Sequence, residues 1–117
     1  MSKMLIGIDV SLRSHHVQFM AEDGTSIASF SVSNDQQGAD TLIQKMIEQA
    51  EKINSQLLQI GMEATSNLGW HLAHYLKEQL DVVHPNYKVK IYVINASKVA
   101  RFKKGYDSLP KKRIAAG

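Results

Sequence analysis

The residue pattern predicts an α/β domain on a mixed five-stranded sheet, with three antiparallel strands first and helices alternating with strands afterwards. Three observations carry that prediction. Up to Ser33 the apolar residues recur mainly at every second position, with a reversal at Asp23-Gly24. After Ser33 an apolar stripe at helical spacing is followed by a short apolar run, then by a second stripe and a second run. The length of 117 residues, with 44% hydrophobic and 21% charged side chains, is that of one domain able to bury a core.

Lys3 to Val10 reads as a buried strand through Leu5, Ile6, Ile8 and Val10, and Ser11-Leu12-Arg13-Ser14 has room only for a turn. His15 to Ala21 alternates, with Val17, Phe19 and Ala21 on one face and His16 and Gln18 on the other. Glu22-Asp23-Gly24 makes a hairpin reversal, because glycine takes positive backbone angles without steric cost. Ser26 to Ser33 alternates again through Ala28, Phe30 and Val32. Asn34 or Asp35 then caps a helix, a short polar side chain satisfying a free amide of the first turn. Ala39, Leu42, Ile43, Met46, Ile47, Ala50 and Ile53 form one stripe along it. Leu57 to Met62 is a fourth strand, and Thr65 or Ser66 can cap a second helix carrying Leu68, Leu72, Tyr75, Leu76 and Leu80. Pro85-Asn86 marks a loop, Val89, Ile91 and Val93 a fifth strand, and Ala96, Val99 and Phe102 a short helix. Beyond Gly105 no periodicity survives.

Three meander strands followed by alternating helices and strands give a mixed sheet flanked by helices. The right-handed crossover preference puts the fourth strand beside the first. This is the ribonuclease H-like arrangement. A flavodoxin-like order would need a helix between the first two strands, where only four turn residues stand.

Composition narrows the chemistry. Without cysteine there is no disulfide framework, thiolate nucleophile or sulfur-ligated zinc. No stretch approaches the roughly 18 apolar residues of a membrane span, and the start meets Asp9 too early for a signal peptide. A cytoplasmic protein without a membrane partner is the expectation. The net charge of +3 hides an asymmetry: Met1 to Asp81 holds 5 Lys/Arg against 10 Asp/Glu, and Val82 to Gly117 holds 9 Lys/Arg against Asp107 alone. A basic end on an acidic body suits either a polyanionic partner or a merely solvated terminus.

Asp9 closes the first strand and Glu63 the fourth. If those strands are neighbours, two carboxylates meet at the sheet edge where ligands of such sheets gather. Side by side they repel unless a cation lies between them, and Mg²⁺, a hard ion that prefers oxygen ligands, suits the role. Each acid alone has an ordinary explanation: Asp is common in turns, and Glu63 could complement the positive end of the next helix. Their matched placement in one fold favours the metal. His71 and His74 lie three apart on the second helix with His84 downstream, but no further ligand is placed with them. Lys98, Arg101, Lys103 and Lys104, interleaved with Phe102 and Tyr106, form a basic stripe suited to phosphates, which Lys111, Lys112 and Arg113 extend.

Gly7-Ile8-Asp9-Val10, Gly61-Met62-Glu63-Ala64-Thr65 and Val93-Ile94-Asn95-Ala96-Ser97-Lys98-Val99-Ala100-Arg101-Phe102 together resemble the N-terminal domain of DEDD-type transposases of the insertion-sequence 110 family. The likeness covers nearly the whole chain. It implies a RuvC-like, ribonuclease H-type catalytic domain that uses four acids and divalent metal, Mg²⁺ or Mn²⁺, to cut and join DNA. Asp9 and Glu63 match the first two acids. Lys112 stands where the third belongs and Ala115 where the fourth does. The resemblance therefore implies an impaired copy or a fragment, with a catalytic domain over 1–104 and an irregular basic segment over 105–117 that begins a missing region. It also implies as partners the DNA of element ends and target, a guide RNA and further copies of the chain. The alternatives are a catalytically inactive remnant that binds nucleic acid or dimerises, and an unrelated resolvase-like nuclease. A sugar-kinase-like ATPase half would need a Gly-rich phosphate loop, which Ser11-Leu12-Arg13-Ser14 does not supply.

Overall fold

In the computed structural model, which describes residues 2–64, 68–95 and 112–114, the chain runs β1 (Lys3–Asp9), β2 (Ser14–Ala21), β3 (Ser26–Ser33), α1 (Gln36–Lys52), β4 (Leu57–Ala64), α2 (Leu68–Val83), β5 (Lys88–Asn95) and β6 (Lys112–Ile114). The strands form one sheet in the order β3-β2-β1-β4-β5-β6. β1, β2 and β3 are antiparallel neighbours, while β4 runs parallel to β1 and β5 parallel to β4. The five predicted strands and the two long helices are all present in the predicted order, with the fourth strand beside the first.

Lys112–Ile114 adds what periodicity did not show. These residues pair antiparallel with β5, Ile114 against Ile91 and Lys112 against Val93. Pairing to a sheet edge is made by backbone amides and carbonyls, so it leaves no mark in side-chain spacing. The short helix predicted around Ala96, Val99 and Phe102, and the cap predicted at Thr65 or Ser66, lie outside the described residues.

Alternation sorts each strand into a covered and an open face. Met4, Ile6, Ile8 and Val10, with Val17, Phe19, Leu58, Ile60, Met62, Val89, Ile91 and Val93, are buried beneath the helices. α1 packs on β3 and α2 on β4 and β5. Their contributions to the same core are Leu42 and Met46 from α1 and Leu72, Leu76 and Leu80 from α2. Burial of such side chains stabilises the fold by about 1.5–3 kcal/mol each. Phe19 and Phe30 meet edge to face, with ring centres 5.2 Å apart.

The turns follow local chemistry. Gly24 takes φ 91°, its amide bonding the Ala21 carbonyl, and Thr25 donates to the Asp23 carboxylate. Asp35 is the cap of α1: its carboxylate accepts from the Gly38 amide at 2.7 Å and from the Ser33 hydroxyl at 2.7 Å. Those bonds, that of Ser33 foremost, hold its pKa below the usual carboxylate value. Asn54 ends the helix in the left-handed region at φ 57°, a conformation asparagine tolerates.

Candidate active site

β1 and β4 run in register, so Asp9 and Glu63 are direct partners across the parallel ladder and both are exposed on the open face. The Val10 amide continues the ladder by donating to the Glu63 carbonyl at 2.9 Å, fixing the register where the acids sit. The residues predicted to meet at the end of the first and fourth strands therefore do meet. The open face is organised in rows. Across it at this level run Ser31 on β3, His16 on β2, Asp9, Glu63 and Ile94 on β5. One row down run Ser29, Gln18, Gly7, Gly61 and Tyr92.

His16 is a site residue that periodicity alone did not single out. Alternation placed it on the open face, but its position opposite Asp9 depends on the length of the β1–β2 turn. Its Nε2 lies 3.2 Å from the Ser29 hydroxyl. His15, on the opposite face, is 2% exposed and holds that turn in place. The Ser11 amide can only donate, so His15 Nδ1 accepts from it at 3.2 Å and Nε2 carries the proton toward Asn34 Oδ1 at 3.0 Å. Asn34 in turn donates to the Leu12 carbonyl at 2.9 Å. Burial pushes the His15 pKa below 6.5, against a smaller opposing effect of the Asn34 bond. A neutral imidazole thus ties the segment just after Asp9 to the start of α1.

The two carboxylates lie in a shallow groove of about 490 Å³ with Gly7, Gly61, Gln18 and Tyr92. Among the described residues the only ion pair is Lys77–Asp81, so neither acid is neutralised by a basic side chain there. Hard oxygen donors without a cationic partner at the end of a parallel pair fit Mg²⁺ or Mn²⁺. Among the described residues no third His, Cys, Asp or Glu joins them to complete a metal cage. His71 and His74 are exposed on α2, away from this face. Lys98, Arg101, Lys103 and Lys104 lie outside the described residues, as does Ala115. Lys112 is placed in β6, its backbone partnered with Val93.

No helix among the described residues is long and apolar enough to cross a membrane. A family model described as "Transposase", that of the DEDD-type transposases of insertion sequence 110, matches residues 6–112. Among solved structures, the chain is similar to Marinitoga piezophila Argonaute in complex with 5′ OH guide RNA, with 16% identity and a TM-score of 0.52 over 80% of this chain and 16% of that one. It is also similar to Thermus thermophilus RuvC, with 12% identity and a TM-score of 0.50 over 92% of this chain and 71% of that one. At these identities the likeness is one of fold. No curated protein matches the sequence.

Proposed function

The chain belongs to the DEDD-type transposase family of insertion sequence 110, and from that premise we propose that it is a domain for metal-dependent cleavage and transfer of DNA strands. The observation that carries the proposal is the side-by-side placement of Asp9 and Glu63 on β1 and β4, exposed together and without a cationic partner among the described residues. Asp9 and Glu63 would hold Mg²⁺ or Mn²⁺. When bound, such an ion supplies positive charge to a phosphodiester oxygen and lowers the pKa of a coordinated water. The protein's own part is positional. The β1–β4 register sets the carboxylates together, and the His15–Ser11 bond fixes the segment that follows Asp9. Lys98, Arg101, Lys103 and Lys104 would neutralise phosphates of the bound DNA. In the family's manner, a guide RNA and further copies of the chain would complete the working assembly.

A second reading has its own observation. On the family resemblance Lys112 and Ala115 take the places of the third and fourth acids, and an ammonium group opposes cation binding. On that reading the domain retains nucleic acid or dimerises without cutting. Nicking of supercoiled DNA in Mg²⁺ separates the two, measured for the unaltered chain and for its Lys112→Asp, Ala115→Asp variant. The transposase reading expects the unaltered chain to nick, its Lys112→Asp, Ala115→Asp variant to nick faster, and Asp9→Asn to abolish nicking in both. DNA binding without nicking by the unaltered chain supports the inactive remnant, whether or not the variant nicks.

A further inference from the structure

Gly7 and Gly61 are register partners in the middle of the open face, flanked by Gln18 on β2 and Tyr92 on β5. The fold does not demand glycine at either place. Neither has a positive φ, and an added Cβ would meet nothing within 4 Å among the described residues. Glycine weakens a strand interior, and its usual reason there is a bulge or the close approach of another chain or ligand. The ladder is regular at both residues, which leaves close approach. Together they make a floor two strands wide, about 5 Å between strand axes, bare of side chains and leading directly to Asp9 and Glu63.

The surroundings say what approaches. Tyr92 stands beside the floor as an aromatic surface, half-buried and lining the groove. Lys90 is the partner of Gln59, one row beyond the glycines, and Lys3 and Lys88 flank Leu57 one row further. None of the three lysines has an ion-pair partner among the described residues. Each row is about 7 Å from the next. The face thus runs from a carboxylate pair, across one bare row with an aromatic edge, to a row of Met20, Leu5, Gln59 and Lys90, with Lys3 and Lys88 beyond it.

We propose that this strip seats a single-stranded segment of nucleic acid, its backbone lying on Gly7 and Gly61 and running from the acid pair toward Lys90, with a base stacked on Tyr92. The inference rests on the transposase reading for the nature of the polymer and adds where, and in what form, the strand is held. A strip only two strands wide admits one extended chain and not a duplex, and stacking on a tyrosine face needs an unpaired base.

The test measures fluorescence anisotropy of a labelled oligothymidine, with thermal melting of the same samples, for the unaltered chain, Gly7→Val, Gly61→Val, Tyr92→Ala and Tyr92→Phe. A valine at either glycine should leave the melting temperature unchanged or raised, and weaken oligothymidine binding about tenfold or more. Tyr92→Ala should weaken it about five- to a hundredfold, with Tyr92→Phe restoring the affinity. Unaltered affinity in the glycine variants overturns the inference, as does an unaltered chain that binds no oligothymidine. A lower melting temperature in the glycine variants also overturns it, because the strip would then be covered by polypeptide. Equal binding of a duplex, equally sensitive to these substitutions, removes the single-strand claim. If binding ignores the strip but nicking still depends on Asp9, the inference falls and the transposase reading stands.

Discussion

Asp9 and His15 show how one short turn serves both stability and the site. Asp9 ends β1, and His15 on β2 reaches back to the Ser11 amide with its unprotonated Nδ1. A proton on that nitrogen would replace an accepted hydrogen bond by two facing donors. Burial of the ring, which disfavours its charged form, is the main reason that the native state binds the proton less readily than the unfolded chain, whose histidine has its ordinary pKa of 6.5. Above that pH both forms are neutral and the fold keeps its full stability. Stability is lost as pH falls from about 6.5 through the lowered native pKa, since the unfolded state then holds more protons. Urea unfolding across this range should show the loss, and His15→Gln should remove this part of the slope. An unchanged slope in His15→Gln would contradict the assignment. The sequence pattern put His15 and His16 on opposite faces of a strand, but the partners of each depend on the turn and on Asn34, 19 residues away from His15. Such contacts leave no local signature.

The elements themselves were legible because each is an amphipathic unit. β1, β2 and β3 alternate, α1 and α2 carry apolar stripes, and Asp23-Gly24 and Asp35 are turn and cap residues by chemistry. Gly38 was not legible. In a helical stretch glycine reads as a mild defect, yet at Gly38 an added Cβ would run into the carbonyl oxygen of Ser33. The end of β3 and the first turn of α1 can pack this closely only because nothing projects from that position. Gly38→Ala should cost about 1–3 kcal/mol by forcing backbone apart, read as a lower urea midpoint, whereas glycine to alanine in an open helix is stabilising. A neutral or stabilising result would mean that the β3–α1 junction yields. The β6 strand was likewise hidden, because edge pairing of Lys112–Ile114 uses the backbone alone.

At the scale of the whole molecule, one sheet face carries the helices and the other carries Asp9, Glu63, His16, Gly7, Gly61 and Tyr92. The meeting of the two acids could be argued from the sequence, since strand order follows from crossover handedness and each acid closes its strand. The rows around them could not, because register depends on turn lengths and on the packing of α1 and α2 against the far face. The acidic body and basic end add a second asymmetry, placing carboxylates that suit a divalent ion in the same chain as cations that suit phosphate. On this reading Asp9 and Glu63 together hold a divalent ion. Mn²⁺ binding, followed by loss of the free-ion electron paramagnetic resonance signal, tests it most directly for the unaltered chain and the Asp9→Asn, Glu63→Gln double variant. The unaltered chain should take up Mn²⁺, and the double variant should bind it at least about tenfold more weakly with no loss of melting temperature. Equal Mn²⁺ uptake by the two proteins would contradict the account.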